Sequence, residues 1–479
     1  MVAGMGISEQ SAEARLDDYV GSLAEALGHA DRVQPLMDYC TGLLMPGERK
    51  SVEPMAAVVA PSQVAAKHQS LLHFVGQAPW SDADVLAKVR ELVLPLMEAS
   101  GPVEAWIVDD TGYAKKGGHS VGVERQYCGR LGKTDNCQIA VTLSLANHEA
   151  SLPVAYRLYL PKGWASDEAR RNKCGVPTDV TFKTKPDIAL EQIKAALAAG
   201  APKAVVLADP AYGNNGGFRA GLTSMGMPYA VGIQSNTRVW APGMAPLPPK
   251  PWSGRGRKPT LAQHDGEHRP VQVKALAKSL PASAWSEVTW REGTNAPLTS
   301  RFAALRVRPA HRSDKGAARA AEEWLLIEWP EGEKAPTKYW LSTVAEDTPL
   351  AALVDITKLR WRIERDYEEL KSELGLAHFE GRGWRGFHHH ATLCIAAYGF
   401  LIRERAAFPP SGALFRKEPG LSNRPARRGS PSPARAPRPK FDRHSAQDHH
   451  RQARENALPL PDMPVRDAQA RTSPSFMTQ

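Results

Sequence analysis

The chain has 479 residues, of which 42% are hydrophobic, enough for two to four domains with sizeable cores. Its formal charge of +10 points to an acidic partner such as DNA. However, Pro409–Gln479 alone carries 13 Lys and Arg against 6 Asp and Glu, so the rest of the chain has a net charge of only +3. Five scattered cysteines show no CxxC pair and no metal-ligand spacing and read as reduced cytosolic thiols. No signal peptide opens the chain and no apolar run approaches a membrane span, so no membrane partner is expected.

Residues 1–100 read as a helical N-terminal domain. Leu16, Tyr19, Val20, Leu23 and Leu27 recur at helical spacing. A further helix is predicted over 83–99 (Val85, Val89, Leu92, Val93, Leu96), with Ser81 or Asp82 available as its cap. Gly47–Ser51 forms a basic turn between helices. No helix-turn-helix signature is evident, so a helical unit that only packs on the core stands as the alternative to a role in DNA recognition.

Residues 101–234 read as the first part of an α/β core. Ala105–Val108 is an apolar run that ends in Asp109-Asp110-Thr111-Gly112. Ala204–Ala208 is another, ending in Asp209-Pro210. Both have the character of buried strands. A carboxylate at such a strand end lies at the sheet rim, where α/β folds place ligands, although a turn-forming Asp explains each one taken singly. A glycine- and lysine-rich loop (Lys115-Lys116-Gly117-Gly118) follows the first run. Gln138–Leu145 and Pro153–Leu160 read as a hairpin, 186–199 as a helix, 215–226 as a second helix and Tyr229–Ile233 as a strand. The order βββαβαβ, with a much later helix, is ribonuclease-H-like.

Residues 235–345 exceed what that core needs and read as a β-rich insertion. It opens with the Pro-rich basic stretch Ala241–Lys258, then continues with strands over 284–291, 300–308, 323–329 and 338–344. Seven of the twelve tryptophans lie here. Most are expected to form the core of a small β domain. One exposed ring could stack on an unpaired base, and Trp340 is the candidate.

Residues 346–408 read as the close of the core. In a helix over 355–375, Ile356, Leu359, Ile363, Tyr367, Leu370 and Leu374 fall within about 80° of one another at 100° per residue. Arg360, Glu364 and Lys371 line one edge of that stripe, where a cleft would begin. An Arg360–Glu364 i,i+4 pair is the bland account. His388-His389-His390 begins a helix over 386–403. Consecutive helical residues point about 100° apart, so packing or phosphate contact is expected there rather than a metal. Arg382 and Arg385 suit DNA backbone contact. Residues 409–479, with 12 of 39 prolines and no periodicity, are expected to be a disordered basic tail. Its abrupt composition implies a frameshifted or degraded C-terminus, or an authentic basic tail.

Several motifs in this order resemble the insertion-sequence DDE transposases of the 701 family. They are Val108-Asp109-Asp110-Thr111-Gly112 with Lys115-Lys116-Gly117, Arg125-Gln126-Tyr127-Cys128-Gly129 with Gly132-Lys133, and Asn136-Cys137-Gln138. Ala208-Asp209 with Tyr212-Gly213, Arg360-Trp361-Arg362-Ile363-Glu364 with Lys371, and Gly381–His390 complete the match over roughly residues 15–408. The signature's Tyr, three residues before the Arg, is Thr357 here.

The resemblance implies a ribonuclease-H-like core whose catalytic and metal-binding triad is Asp110, Asp209 and Glu364. Asp109 and Asp110 point to opposite faces of a strand, and Asp110 is the choice because it immediately precedes Thr111. Arg360 and Lys371 would be accessory DNA contacts, joined by Lys115, Lys116, Arg382, Arg385 and Trp340. The cofactor would be Mg²⁺, with Mn²⁺ as a substitute. The partners would be terminal inverted repeats, recognised by residues 1–100, and target DNA, with a homodimer at synapsis. The setting would be the bacterial cytoplasm, nucleoid-associated when DNA-bound. The expected function is cut-and-paste transposition by cleavage at the repeats and strand transfer. The alternative is a decayed product that binds ends without transposing, and a structure-specific nuclease is a third reading.

Overall fold

The computed structural model describes residues 10–259, 265, 267–292, 297–310 and 321–409. Apart from Pro409, the tail expected to be disordered lies outside the described residues.

The N-terminal region is helical: α1 (Ala12–Ala24), α2 (Val33–Leu44), α3 (Val52–Val59), α4 (Val64–Gly76) and α5 (Asp82–Ala99). Ser81 caps α5, its hydroxyl accepting the Asp84 N–H at 3.1 Å. Tyr19, Leu23, Val89 and Val93 of the predicted stripes are buried. They pack in one core with the final helix described below.

A mixed sheet follows. Its first strands are β1 (Ala105–Ala114), β2 (Glu124–Cys128), β3 (Lys133–Ala146) and β4 (Ser151–Leu158). Then come α6 (Lys162–Ala165), α7 (Glu168–Lys173), α8 (Lys185–Ala198), β5 (Val205–Ala208), α9 (Pro210–Gly213), α10 (Gly216–Ser224) and β6 (Tyr229–Ile233). β4, β3, β1, β5 and β6 lie side by side in that order. β3 runs antiparallel to β1, whereas β5 is parallel to both β1 and β6. The strand–helix alternation seen in the sequence produces the parallel half, since parallel neighbours need a crossover.

Two expectations change here. The first strand, expected to end at Asp109, runs further. β1 runs on through Gly112 to Ala114, and β2 pairs with β3 beyond it. β3 is long enough to keep pairing with β1, Ala114 lying opposite Cys137.

The insertion also does not build a sheet of its own. It comprises β7 (Arg238–Trp240), β8 (Val271–Gln272), α11 (Val273–Ser279), β9 (Ser286–Glu292), β10 (Pro297–Pro309), β11 (Glu323–Pro330) and β12 (Lys338–Ser342). β12 adds antiparallel to β6, with Tyr339 opposite Ile233 and Ser342 opposite Ala230, so the strands form one sheet. The backbone groups of β6 that would be an open edge are thereby paired.

The chain then returns across one face of the sheet as α12 (Leu350–Lys358), a 3₁₀ turn at Leu359–Trp361, α13 (Arg362–Glu368) and a π-turn at Glu369–Glu373. The predicted single helix is therefore interrupted twice. Its apolar stripe survives, with Leu359, Ile363, Leu370 and Leu374 buried. In the π-turn the Leu374 N–H reaches the Glu369 carbonyl five residues back, at 3.0 Å. Gly375 then turns the chain with φ of 68°.

The final helix, α14 (Trp384–Ala407), is buried over most of its length and joins the helical region to the sheet. Gly399 permits its close contact with α1. A Cβ there would lie 2.7 Å from the Tyr19 hydroxyl, which donates to the Ala396 carbonyl at 2.9 Å.

Candidate active site

The period-2 alternation of β1 decides which of two adjacent acids faces the helix of Glu364. Ala105 and Ile107 share an apolar cluster with Leu207 of β5 and with Leu359 and Ile363. Trp106 and Val108 join the main core instead. Asp109 therefore continues the face covered by α12 and α13, and Asp110 continues the opposite face.

The side chains follow that rule. One Asp109 oxygen accepts from the Arg360 guanidinium at 2.9 Å, and the other accepts the Asp110 N–H at 2.8 Å. Asp110 instead pairs with Lys185 of α8 at 2.8 Å, on the far side.

Register brings the second acid alongside. Val108 lies opposite Ala208 in the parallel β1–β5 pair, so Asp109 and Asp209 leave the paired region side by side. Leu207 fixes the face of β5, and Asp209, two residues on, lies on the same side as Asp109. Asp209 also caps α9, one oxygen accepting the Ala211 N–H at 2.9 Å. Pro210 at the first helical position suits that cap, as its missing N–H would have no partner there. Gly213 lets α9 lie on β6, because a Cβ there would strike the Gly232 carbonyl.

Burial pushes the Asp109 carboxyl up to about 7. The Arg360 guanidinium opposes this, while Asp209 and Asp110 add to it. Burial lowers Arg360, but Asp109, then Asp209 and Glu364, outweigh it and hold the guanidinium above its ordinary range.

Glu364 is the outermost member. Its side chain is 75% exposed and lies 3.9 Å from the same Arg360 guanidinium, as the i,i+4 spacing anticipated. Arg360 thus touches both the strand acid and the helix acid. Lys371 leaves the π-turn toward β1, its ammonium 3.4 Å from the Gly112 carbonyl and near the rings of Tyr113 and Tyr367. Tyr367 shares a 2.6 Å hydrogen bond with Thr142, the residue opposite Asp109 on β3. Thr357, at the position of the signature tyrosine, is buried and spends its hydroxyl on the Leu353 carbonyl.

The remaining sequence-predicted residues scatter. Lys115 is half-buried and donates to the Phe379 carbonyl at 2.9 Å, and burial lowers its pKa. Lys116 and Arg382 are exposed. Arg385 is exposed and donates to the Gln77 carbonyl at 2.7 Å. Trp340 packs with Trp290, Trp324 and Leu326 against Leu353 and Val354 of α12, and the Lys358 ammonium sits 5.4 Å from its ring. Trp252 is the tryptophan among the exposed large hydrophobics, 53% accessible.

The three consecutive histidines are all buried and serve packing. His388 accepts the Leu158 N–H at 3.2 Å, while His389 stacks on Trp80 with ring centres 3.5 Å apart. His390 lies 2.9 Å from the Tyr39 hydroxyl and 3.0 Å from the Gly375 carbonyl. Burial lowers His389 and His390 to about 4, which keeps them neutral.

Asp110, the acid beside Thr111 that the sequence favours, faces α8 instead. The signal that separates it from Asp109 is the face set by Ile107 and by the β1–β5 register, and it appears only once the partner strand is known. Asp109, Asp209 and Glu364 present carboxylate oxygens from two adjacent strand ends and a crossing helix, with Glu364 the outermost and most exposed. A separate group, Glu104, His148 and Asp355, lies toward the opposite end of β1, with one ligand atom of each within 4.8 Å of the others.

Among the described residues, no helix is long and apolar enough to cross a membrane. A family model described as DDE superfamily endonuclease matches residues 22–297. The chain is also similar to a protein of Microchaete diplosiphon described as a probable transposase for insertion sequence element IS701. The two are 34% identical over 194 residues, which cover 40% of this chain and 46% of that relative.

Proposed function

The chain belongs to the DDE superfamily endonuclease family, and we propose that it is a transposase cutting DNA at the terminal inverted repeats of an insertion sequence and joining the ends to a target. The observation that carries this reading is the shared face of Asp109 and Asp209 beneath the helix of Arg360 and Glu364. We assign the catalytic carboxylates as Asp109, Asp209 and Glu364, replacing Asp110, whose side chain faces α8 and pairs with Lys185.

These three side chains would hold Mg²⁺, or Mn²⁺ in its place. When bound, a pair of such ions supplies an activated water or 3′-hydroxyl and stabilises the leaving oxygen of a phosphodiester. The chain's own groups do the rest. Arg360, now split between Asp109 and Glu364, is released for a bidentate phosphate contact once the carboxylates are otherwise neutralised. Lys371 adds a point charge beside Gly112. The cap that Asp209 makes on α9 fixes one of its oxygens and leaves its orientation rigid. Lys116 and Arg382, both exposed, suit backbone contacts along the duplex. Trp340 is reassigned to packing, since its ring is engaged with α12. Two ends must be held at once, so the working unit is a homodimer at synapsis, with the helical N-terminal region reading the repeats.

The test is Mg²⁺-dependent cleavage of linear DNA carrying the element's own flanking ends, comparing the full chain with Glu364→Ala. Specific cleavage that vanishes in the variant while end binding persists is the expected result. Near-normal cleavage by Glu364→Ala would overturn the assignment. Equal cleavage of matched and scrambled repeats would reduce the protein to a structure-specific nuclease. Tight end binding without cleavage by either protein would mark a binding-only product.

A further inference from the structure

Three segments that are distant in the sequence bring metal-ligating side chains together at the end of β1 away from the acids. Glu104 directly precedes β1, His148 lies in the β3–β4 turn and Asp355 lies on α12. The His148 Nε2 is 3.1 Å from a Glu104 oxygen and 3.1 Å from an Asp355 oxygen. One ligand atom of each residue lies within 4.8 Å of the others. A tetrahedral Zn²⁺ with bonds near 2.0–2.1 Å has ligand-to-ligand edges of about 3.3 Å. The two His148 edges, 3.1 Å each, are close to that value, and the Glu104–Asp355 edge is within 4.8 Å.

The backbone around these side chains is held in place. The Glu104 N–H donates to the Ala146 carbonyl at 2.9 Å, and its carbonyl accepts the Val205 N–H at 3.2 Å. Asn147 locks the turn that carries His148. Its amide donates to the Met97 and Gly101 carbonyls at 3.0 and 2.7 Å, and its oxygen accepts the Glu149 and Ala150 N–H groups at 2.9 and 2.8 Å. Arg362 further ties the turn through the Glu149 carbonyl at 3.0 Å. Two of the three ligands thus sit on rigid supports, which is what a preorganised site requires.

We propose that Glu104, His148 and Asp355 form a second divalent-metal site, separate from the carboxylates of the active site and selective for a borderline ion such as Zn²⁺. One imidazole and two carboxylates favour Zn²⁺ over Mg²⁺, which prefers oxygen alone. The His148 side chain is 43% exposed, which gives an ion a way in and leaves a fourth position for water. Asp355 lies five residues before Arg360 on the same helical path. An ion here would pin α12 to the sheet and so anchor the segment that carries Arg360 and Glu364. Glu104 is five residues from Asp109 along the strand, or about 16 Å at the usual rise, too far for one ion to serve both sites.

The experiment titrates the full-length protein with Zn²⁺ by calorimetry in excess Mg²⁺, alongside His148→Ala, Glu104→Gln and Asp209→Asn. Melting temperature is recorded with and without Zn²⁺. One equivalent of Zn²⁺ should bind the parent and Asp209→Asn alike and raise both melting temperatures. His148→Ala should weaken binding by roughly 100-fold or more, and Glu104→Gln, which keeps the side-chain volume, should weaken it in the same direction. Cobalt substitution should give the visible spectrum of a tetrahedral ion in the parent and not in His148→Ala. Zn²⁺ binding that is absent in the parent, unchanged in His148→Ala, or lost in Asp209→Asn but kept in His148→Ala would overturn the proposal.

Discussion

Replacing Asp109 and Asp110 separately by Asn is the sharpest test of the active-site reading, because the two residues are adjacent and chemically identical. Asp109→Asn keeps an oxygen to accept the Asp110 N–H but loses the charge that meets Arg360 at 2.9 Å and that would bind metal. Removing one preorganised electrostatic group from a reacting centre costs roughly 10²–10³-fold in turnover, and a lost metal ligand should reach at least that. Asp110→Asn removes a pair with Lys185 whose side chains are 24% and 28% exposed. A pair so accessible contributes about 0–1 kcal/mol after solvent screening, so stability should barely move and cleavage should stay within several-fold. The assay is Mg²⁺-dependent nicking of DNA bearing the element's ends, with thermal melts to show that both variants fold. A folded Asp110→Asn that is inactive beside an active Asp109→Asn would refute the argument from strand faces.

Other consequences are open to measurement. Asp366 on α13 is buried, and burial lifts its carboxyl to about 7 against the opposing hydrogen bonds from Ser151 at 2.5 Å and Tyr398 at 3.0 Å. A folded pKa raised above the unfolded 3.8 favours the folded state most below pH 4, an advantage lost as pH rises toward 7. Denaturant melts should therefore show the parent losing stability relative to Asp366→Asn across that window, at up to about 1.4 kcal/mol per pH unit. A constant difference would refute it. Gly213→Ala would force a Cβ into the Gly232 carbonyl, pushing α9 from β6 and Asp209 with it. It should cost about 1–3 kcal/mol and most of the cleavage activity, and an unaltered melt would contradict the packing. Trp340→Ala should destabilise by roughly 2–3 kcal/mol through lost contacts with α12, whereas the exposed Trp252→Ala should stay within about 0.5 kcal/mol. Equal melting temperatures for the two tryptophan variants would count against the packing role.

Much of the architecture was legible in the chain because it rests on local pattern. Hydrophobic periodicity marked α5, the β3–β4 hairpin, β5, β6 and the buried stripe of Leu359, Ile363 and Leu370, and each depends on neighbours a few residues away. The acid–base spacing of Arg360, Glu364 and Lys371 was visible for the same reason. Pairing between distant segments was not visible. That β12 closes on β6, that β1 runs past Gly112, and that a 3₁₀ turn and a π-turn break the helix of Glu364 all depend on which backbone groups find partners across the fold. The choice between Asp109 and Asp110 belongs to this second class. A strand's alternation determines that the two acids face opposite ways, but only the helix packed on one side and the strand beside it decide which face is the site. The meeting of Glu104, His148 and Asp355 is likewise a product of tertiary structure, since nothing in their spacing of 44 and 207 residues ties them together.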